Sequence, residues 1–592
     1  DGSERSVAIR PTEGRREERT RPDGRLGLVR LVDLPELPLG RHRIVLGDTT
    51  CRLTVAPSAC YVPTDLANDG RRFGLATHLY TLRRASLDQG IGDFSALGSL
   101  GAAAAGLGAS TLGLNPLHAL FDTDRERASP YHPSDRRFLD PVYIDVAALG
   151  GDVAGFADLS RAVNVDYTGV WAAKESALRA AFAGFGGAPD FESFLTEGGE
   201  PLKRFAAYQA IAKVHPRTDW RQWPAALRDA ASADVASFTH EHVSEVRFAL
   251  WQQWIADRQL GAAASQSREA GLSLGFYRDL AVGTAPDGAE AWAEAGMLMQ
   301  GVNVGAPPDP LGPEGQNWNL PPPDPLALQR DGYESFARLV AANMRHAGAL
   351  RIDHVMGLRR LFLLPAGAGA VDGAYLAYPF EDLAGQVAAE SMRAQCMVVG
   401  EDLGTVPFGM REQLAAERML SYRVLWFERS GEDFMPPEDY PSLAAACVST
   451  HDLPTLTGWW DGVDIGERRA LGLMGEDGLI AALAEREAEK VRLGEALLRE
   501  GLIDTFPEPG AAMSDAFFVA VHAFVGRTCS MLALAQLDDL AGEAVAVNLP
   551  GTDRERPNWR RRLGRPVDEV MGEPRVRAAL AALGKGRLGA KR

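Results

Sequence analysis

The chain has 592 residues, of which 46% are hydrophobic and 24% charged, which is enough to bury a large core and more than one ordinary domain needs. Its formal charge of -17 argues against nucleic acid or an anionic lipid surface as partner and suits a neutral substrate. Five scattered cysteines, Cys51, Cys60, Cys396, Cys447 and Cys529, form no CxxC pair, so buried free thiols in a reducing cytoplasm are expected, with no metal or other cofactor.

The first 25 residues are rich in Arg, Glu, Gly and Pro and predict a mobile segment without a signal peptide. The missing initiator Met points to a trimmed start. Over 26–62, "HRIVL" and "CRLTV" flank Gly47-Asp48 and predict a hairpin. Two strands are too few to stand alone, so this is the end of a small β domain.

The pattern changes near residue 72. Short apolar runs at 73–79, 110–115, 272–277, 348–353, 396–401, 422–427 and 445–450 alternate with helical stretches. An eighth run, 530–537, fits strand and helix periods equally well. Such βα repeats predict a (β/α)8 TIM barrel over 63–592. The longest charge-free run, Phe94 to Phe121, is made largely of small residues. It reads as a buried helix followed by a strand, not as a membrane span. Residues 155–262 predict a mainly helical insertion. Residues 305–325, "GAPPDPLGPEGQNWNLPPPDP", are too proline-rich for regular structure and predict a loop at the active face. The Arg cluster 554–562 predicts a surface salt-bridging segment, and 464–503 and 568–584 a solvated outer layer of helices.

Three apolar runs end in an acid: "GALRIDH" in Asp353, "CMVVGED" in Glu401 and "CVSTHD" in Asp452. Strand ends of a βα barrel share one rim, so these acids converge there. Each taken singly could be a helix cap or a turn residue; three on neighbouring strand ends suggest glycoside chemistry. Arg351, two residues before Asp353, lies on the same strand face and can keep that carboxylate ionised, as a nucleophile requires. Glu401 follows an apolar run with no cation nearby in sequence, which suits a general acid/base. The competing possibility, a metal-dependent phosphohydrolase built on His451-Asp452, needs further ligands at helical spacing. The eleven His residues do not supply them.

"RIDHVMG", "GEDLGTVP" and "STHDLPT", in that order, resemble the signature regions of the 4-α-glucanotransferases of glycoside hydrolase family 77, the amylomaltases or disproportionating enzymes. "GIGDF" (90–94), "GLNPLHAL" (113–120), "ASPYHPSDRRFL" (128–139), "GQNWNLP" and "VNLPGT…NWRRRL" (547–563) extend the resemblance over roughly 72–565. It implies retaining, double-displacement transfer of α-1,4-glucan segments between maltooligosaccharides. Asp353 then matches the nucleophile, Glu401 the acid/base and Asp452 the acid that binds the distorted sugar. Arg351 matches the nucleophile's partner and His451 a sugar-hydroxyl donor. Ser129 and Tyr131 match the segment beside the donor sugar, and Gln316 and Trp318 the loop over the acceptor side. Gln89 stands where the family usually has an aromatic, which predicts the loss of one outer sugar contact. Hydrolysis of α-glucans on the same site is the alternative outcome, because water and a sugar hydroxyl compete for one intermediate.

Overall fold

The computed structural model describes residues 14–20, 24–308, 314–508 and 510–587, together with residues 4, 6 and 8. The chain divides into two compact units, Asp1–Pro57 and Ser58–Arg592.

The first unit holds two antiparallel hairpins. Arg15–Thr20 pairs with Leu26–Leu31, and Gly40–Leu46 with Thr49–Val55. The second is the expected hairpin, closed by Gly47 in the left-handed region (φ 58°). The first begins inside the stretch expected to be mobile. "RREERT" has no apolar residue to give a period-two signal, and its order comes from backbone pairing with "LGLVRL".

In the second unit eight parallel strands close into a barrel. They are β1 Arg72–Thr77, β2 Thr111–Leu114, β3 Gly275–Leu280, β4 Ala347–Ile352, β5 Met397–Gly400, β6 Leu420–Val424, β7 Ala444–Cys447 and β8 Leu532–Gln536. Each pairs with the next in the chain, and β8 closes on β1. This is the predicted TIM barrel. The ambiguous eighth run is a strand that passes directly into the short helix Leu537–Ala541, which is why both periods fitted. The charge-free run folds as the helix Phe94–Gly106 and then β2. Asp93 caps that helix by accepting from the Ala96 N–H. No helix among the described residues is long and apolar enough to cross a membrane.

Between β2 and β3 lie the helices Tyr167–Ala183, Pro189–Val214, Ala233–Glu241 and Val243–Glu269. The proline-rich stretch departs from expectation. Gln316–Leu320 is a strand that pairs with Val302–Ala306, and this pair extends through Arg360–Pro365 to Ala374–Ala377 as a four-stranded antiparallel sheet. The prolines flank "QNWNL" rather than interrupt it, so the ladder keeps its donors. Residues 309–313 of that predicted loop lie outside the described residues.

The Arg cluster does form ion pairs: Arg560 meets Glu126 at the surface as expected, but three others lie inside the protein. Arg556 pairs with Glu467, Arg561 with Asp538 and Arg562 with Asp88, and all three arginines are buried. The helix Pro574–Gly584, expected as outer layer, buries Val576, Ala579, Leu580 and Leu583 against the core. Of the cysteines, Cys60, Cys396 and Cys447 are buried as free thiols, but Cys51 is exposed on its hairpin.

One barrel position has no tolerance for a side chain. At Gly348 the register of β4 against β3 shifts, and an added methyl group would lie 1.4 Å from the Leu274 carbonyl oxygen. Gly348→Ala is expected to destabilise the barrel by about 3 kcal/mol, measured as a fall in thermal unfolding midpoint.

Candidate active site

Asp353 follows β4, Glu401 follows β5, and His451-Asp452 lie in the loop after β7. All are therefore at the C-terminal rim of the barrel. Arg351 points from the end of β4 and joins two carboxylates. Its Nη2 lies 2.9 Å from Asp353 Oδ1, and its Nη1 donates to both oxygens of Asp279 at 2.8 and 3.0 Å. Asp279 on β3 is the direct register partner of Arg351. Burial pushes the Asp279 carboxyl up, and the adjacent guanidinium opposes that shift.

Asp279 was not among the residues expected from sequence. The apolar run predicted for β3 stopped at Tyr277, short of it. A signal was present in "GFYRDL": an acid near a strand end, as in the three runs that were recognised.

Glu401 and Asp353 are tied together through the backbone. His354 adopts a left-handed conformation (φ 47°), and its N–H donates to Glu401 Oε2 at 3.0 Å. The Leu403 N–H donates to Glu401 Oε1 at 2.7 Å. Burial dominates the acidity of Glu401 and pushes its carboxyl up to about 7. Arg351 and the two amides pull it down, and the Asp353 charge adds to the rise.

Asp452 sits at the mouth of the site with its side chain 49% exposed. Oδ2 lies 3.1 Å from His451 Nε2, and Oδ1 accepts from Asn548 Nδ2 at 2.7 Å. Partial desolvation by the cleft walls raises its pKa, but His451 and then Asn548 outweigh it and hold the carboxyl at about 2. His451 is affected oppositely: burial lowers its pKa, the Asp452 charge raises it, and the net shift is upward. The loop is anchored at its far end, where Thr455 caps the helix Leu456–Asp461 by accepting from the Gly458 N–H at 3.0 Å. The Leu456 N–H donates to buried Asp539 at 2.6 Å.

Tyr131 joins the two halves of the site. Its hydroxyl donates to Asp279 Oδ2 at 2.6 Å and lies 3.2 Å from His451 Nδ1. Its ring stacks on His451, with centroids 4.6 Å apart, and tilts against Trp559 at 5.4 Å. Ser129 accepts from the Tyr131 N–H at 3.3 Å and so shapes the turn that carries the tyrosine. Both nitrogens of His451 are thus engaged. Among the described residues no three His, Cys, Asp or Glu side chains gather to hold a metal ion.

Trp318 and Gln316 reach the site from the added sheet. Trp318 Nε1 donates to Gln316 Oε1 at 2.9 Å, and its ring meets His354 edge-on at 5.1 Å. Gln89 is fully buried instead. It binds the Asp145 carboxylate and accepts from the Val146 N–H at 3.2 Å, so this position serves the core. Asn548 and Trp559, from the segment after β8, complete the rim.

A sequence model of the 4-alpha-glucanotransferase family, glycoside hydrolase family 77, matches residues 77–566. The chain belongs to this family. The 4-alpha-glucanotransferase of Mycobacterium tuberculosis is 37% identical over 585 residues, covering 93% of this chain and 79% of that protein. That of Haemophilus influenzae is 33% identical over 599 residues, covering 94% and 85%. Among solved structures, the amylomaltase from Corynebacterium glutamicum superimposes with a TM-score of 0.85 at 29% identity, covering 97% of this chain and 84% of that one. The rim described above is therefore carried by an enzyme of the 4-alpha-glucanotransferase type, and its three acids lie within the stretch that the family model matches.

Proposed function

We propose that the site transfers segments of α-1,4-glucan between maltooligosaccharides by retaining double displacement. The observation that carries this reading is Glu401, a buried carboxyl raised to about 7 on the strand next to that of Asp353. A group with that acidity can donate a proton and take one back near neutral pH. Asp353 attacks the anomeric carbon of the donor, and the glycosidic bond breaks. The bond's electron pair leaves with the glycosidic oxygen, which takes the Glu401 proton. The donor segment is then held as an ester on Asp353. A sugar hydroxyl enters, Glu401 removes its proton, and the hydroxyl oxygen displaces Asp353 from the same carbon.

Asp452, an acceptor-only carboxylate at neutral pH, binds hydroxyls of the flattened ring, and His451 donates to one of them by turning its Nε2–H from Asp452 to the sugar. Arg351 orients Asp353, and Tyr131 fixes His451 and Asp279. Ser129 holds the Tyr131 turn beside the donor sugar. Gln316 and Trp318 cover the acceptor side and exclude water, which favours transfer over hydrolysis. The family carries the choice of transfer over the alternative α-glucan hydrolase. His451, with Tyr131 on one nitrogen and Asp452 on the other, gives no support to a metal-centred phosphohydrolase. The free thiols and acidic surface support a cytoplasmic setting with neutral glucans, not nucleic acid, as partners.

Incubation with maltotriose is expected to give glucose and a ladder of longer maltooligosaccharides on chromatography. Products no longer than the substrate would sink the transferase reading.

A further inference from the structure

Beyond Glu401 the chain crosses the barrel rim as residues 402–409 before the helix Met410–Ala416 begins. This loop is fastened to the added sheet. The Tyr375 hydroxyl and Thr405 Oγ1 are 3.0 Å apart, and Arg360 donates to the Thr405 carbonyl at 3.3 Å. Arg359 Nη1 donates to the Phe408 carbonyl at 3.1 Å and to Gln413 Oε1 at 2.9 Å. Val406 packs into the apolar core beneath.

On this fixed support the Phe408 side chain stands in water, 99% exposed. Single exposed apolar residues are ordinary, but Phe408 lies three residues beyond Thr405, which is hydrogen-bonded to Tyr375. Tyr375, itself 41% exposed, lies under the Arg360 guanidinium at 3.8 Å and meets Phe362 edge-on at 5.1 Å. The buried Arg360 Nε has no hydrogen-bond partner among the described residues. Burial chiefly keeps His354, the residue after Asp353, from taking a proton, and the Arg360 charge adds to that effect. The patch therefore adjoins the site through both the Glu401 loop and Arg360. It lies on the sheet edge away from Trp318. Tyr375 is on one margin strand and Trp318 on the other, three strand spacings or about 14 Å apart.

We propose that Phe408 and Tyr375, with Arg360 beside them, form an outer subsite on which sugar units of a long glucan stack after the chain leaves the cleft. The open Phe408 ring and the part of Tyr375 not covered by Arg360 match the apolar faces of pyranose rings, and the guanidinium supplies donors for their hydroxyls. A neutral chain also enters this acidic protein without repulsion. The inference rests on the glucan-transfer reading. It predicts a length preference, because a short oligosaccharide seated under Trp318 ends before it reaches the patch.

The test compares kcat/KM for a long linear α-1,4-glucan with that for maltotriose in the wild type, Phe408→Ala and Phe408→Trp. The long-to-short ratio is expected to fall about fivefold in Phe408→Ala and to stay within about twofold of wild type in Phe408→Trp. An unchanged ratio in Phe408→Ala overturns the proposal, and an equal fall in both variants overturns stacking as its basis. An unchanged ratio with an altered sedimentation coefficient places a second copy of the chain on Phe408 and also overturns it. If the wild type fails to disproportionate maltotriose, it is the transfer reading that falls, whatever the ratio.

Discussion

Asp353→Asn is expected to lower disproportionation of maltotriose by ~10⁴-fold or more, because it removes the negative charge that makes the attacking oxygen nucleophilic. An amide is nearly isosteric, so the fold should persist. Its neutral oxygen is too weak a nucleophile for the anomeric carbon. It also removes one of the two carboxylates on Arg351, leaving Asp279 as the guanidinium's anionic partner. The variant should still bind glucan, since His451, Asp452 and Trp318 are untouched. Glucose release from maltotriose is the measurement. Release within tenfold of wild type would remove Asp353 from the nucleophile's role.

Glu401→Gln is expected to slow transfer from maltotriose by about 10²- to 10⁴-fold. With a donor whose leaving group needs no proton, formation of the covalent intermediate should be much less affected. Equal losses with both donors would contradict the acid role. The pH profile gives an independent reading. Burial raises this carboxyl to about 7, so the proton needed for the first step is present below that pH and lost above it. Wild-type activity should therefore decline on the alkaline side from about pH 7, and Glu401→Gln should lack that limb.

The same shift bears on stability, with a definite sign. Because the folded state holds this proton more tightly than the unfolded state does, the group's contribution to stability is fully present below the unfolded value near 4.5. It is lost as pH rises towards 7. A buried carboxyl that is costly to ionise but needed for chemistry is a common reason for an active site to be less stable than it could be.

Much of the fold was legible because its signals are local. Each barrel strand is a short apolar run between helical stretches, and such runs are visible without knowledge of what they pair with. The acids at 353, 401 and 452 stood out for the same reason, since each ends its own run. Arg351 was legible through strand period alone. "RREERT" was not, because it carries no apolar alternation, and "QNWNL" was not, because its short alternation of Trp318 and Leu320 is hidden among flanking prolines; the order of both depends on a partner strand elsewhere in the chain.

The sequence by itself determined the barrel and the three rim acids, since contiguous hydrophobic periodicity specifies strands and a parallel barrel places all their C-terminal ends together. Only the tertiary structure decided what surrounds those acids. Asp279 meets Arg351 because β3 and β4 are in register, 72 residues apart in sequence. Asn548 reaches Asp452 across 96 residues, and Tyr131 reaches His451 across 320. Such contacts leave no periodic trace in the chain, because they depend on strand register and loop path. The acidity of Glu401 follows the same logic: burial raises its pKa, and Arg351, Asp353 and two backbone amides that the fold delivers adjust it.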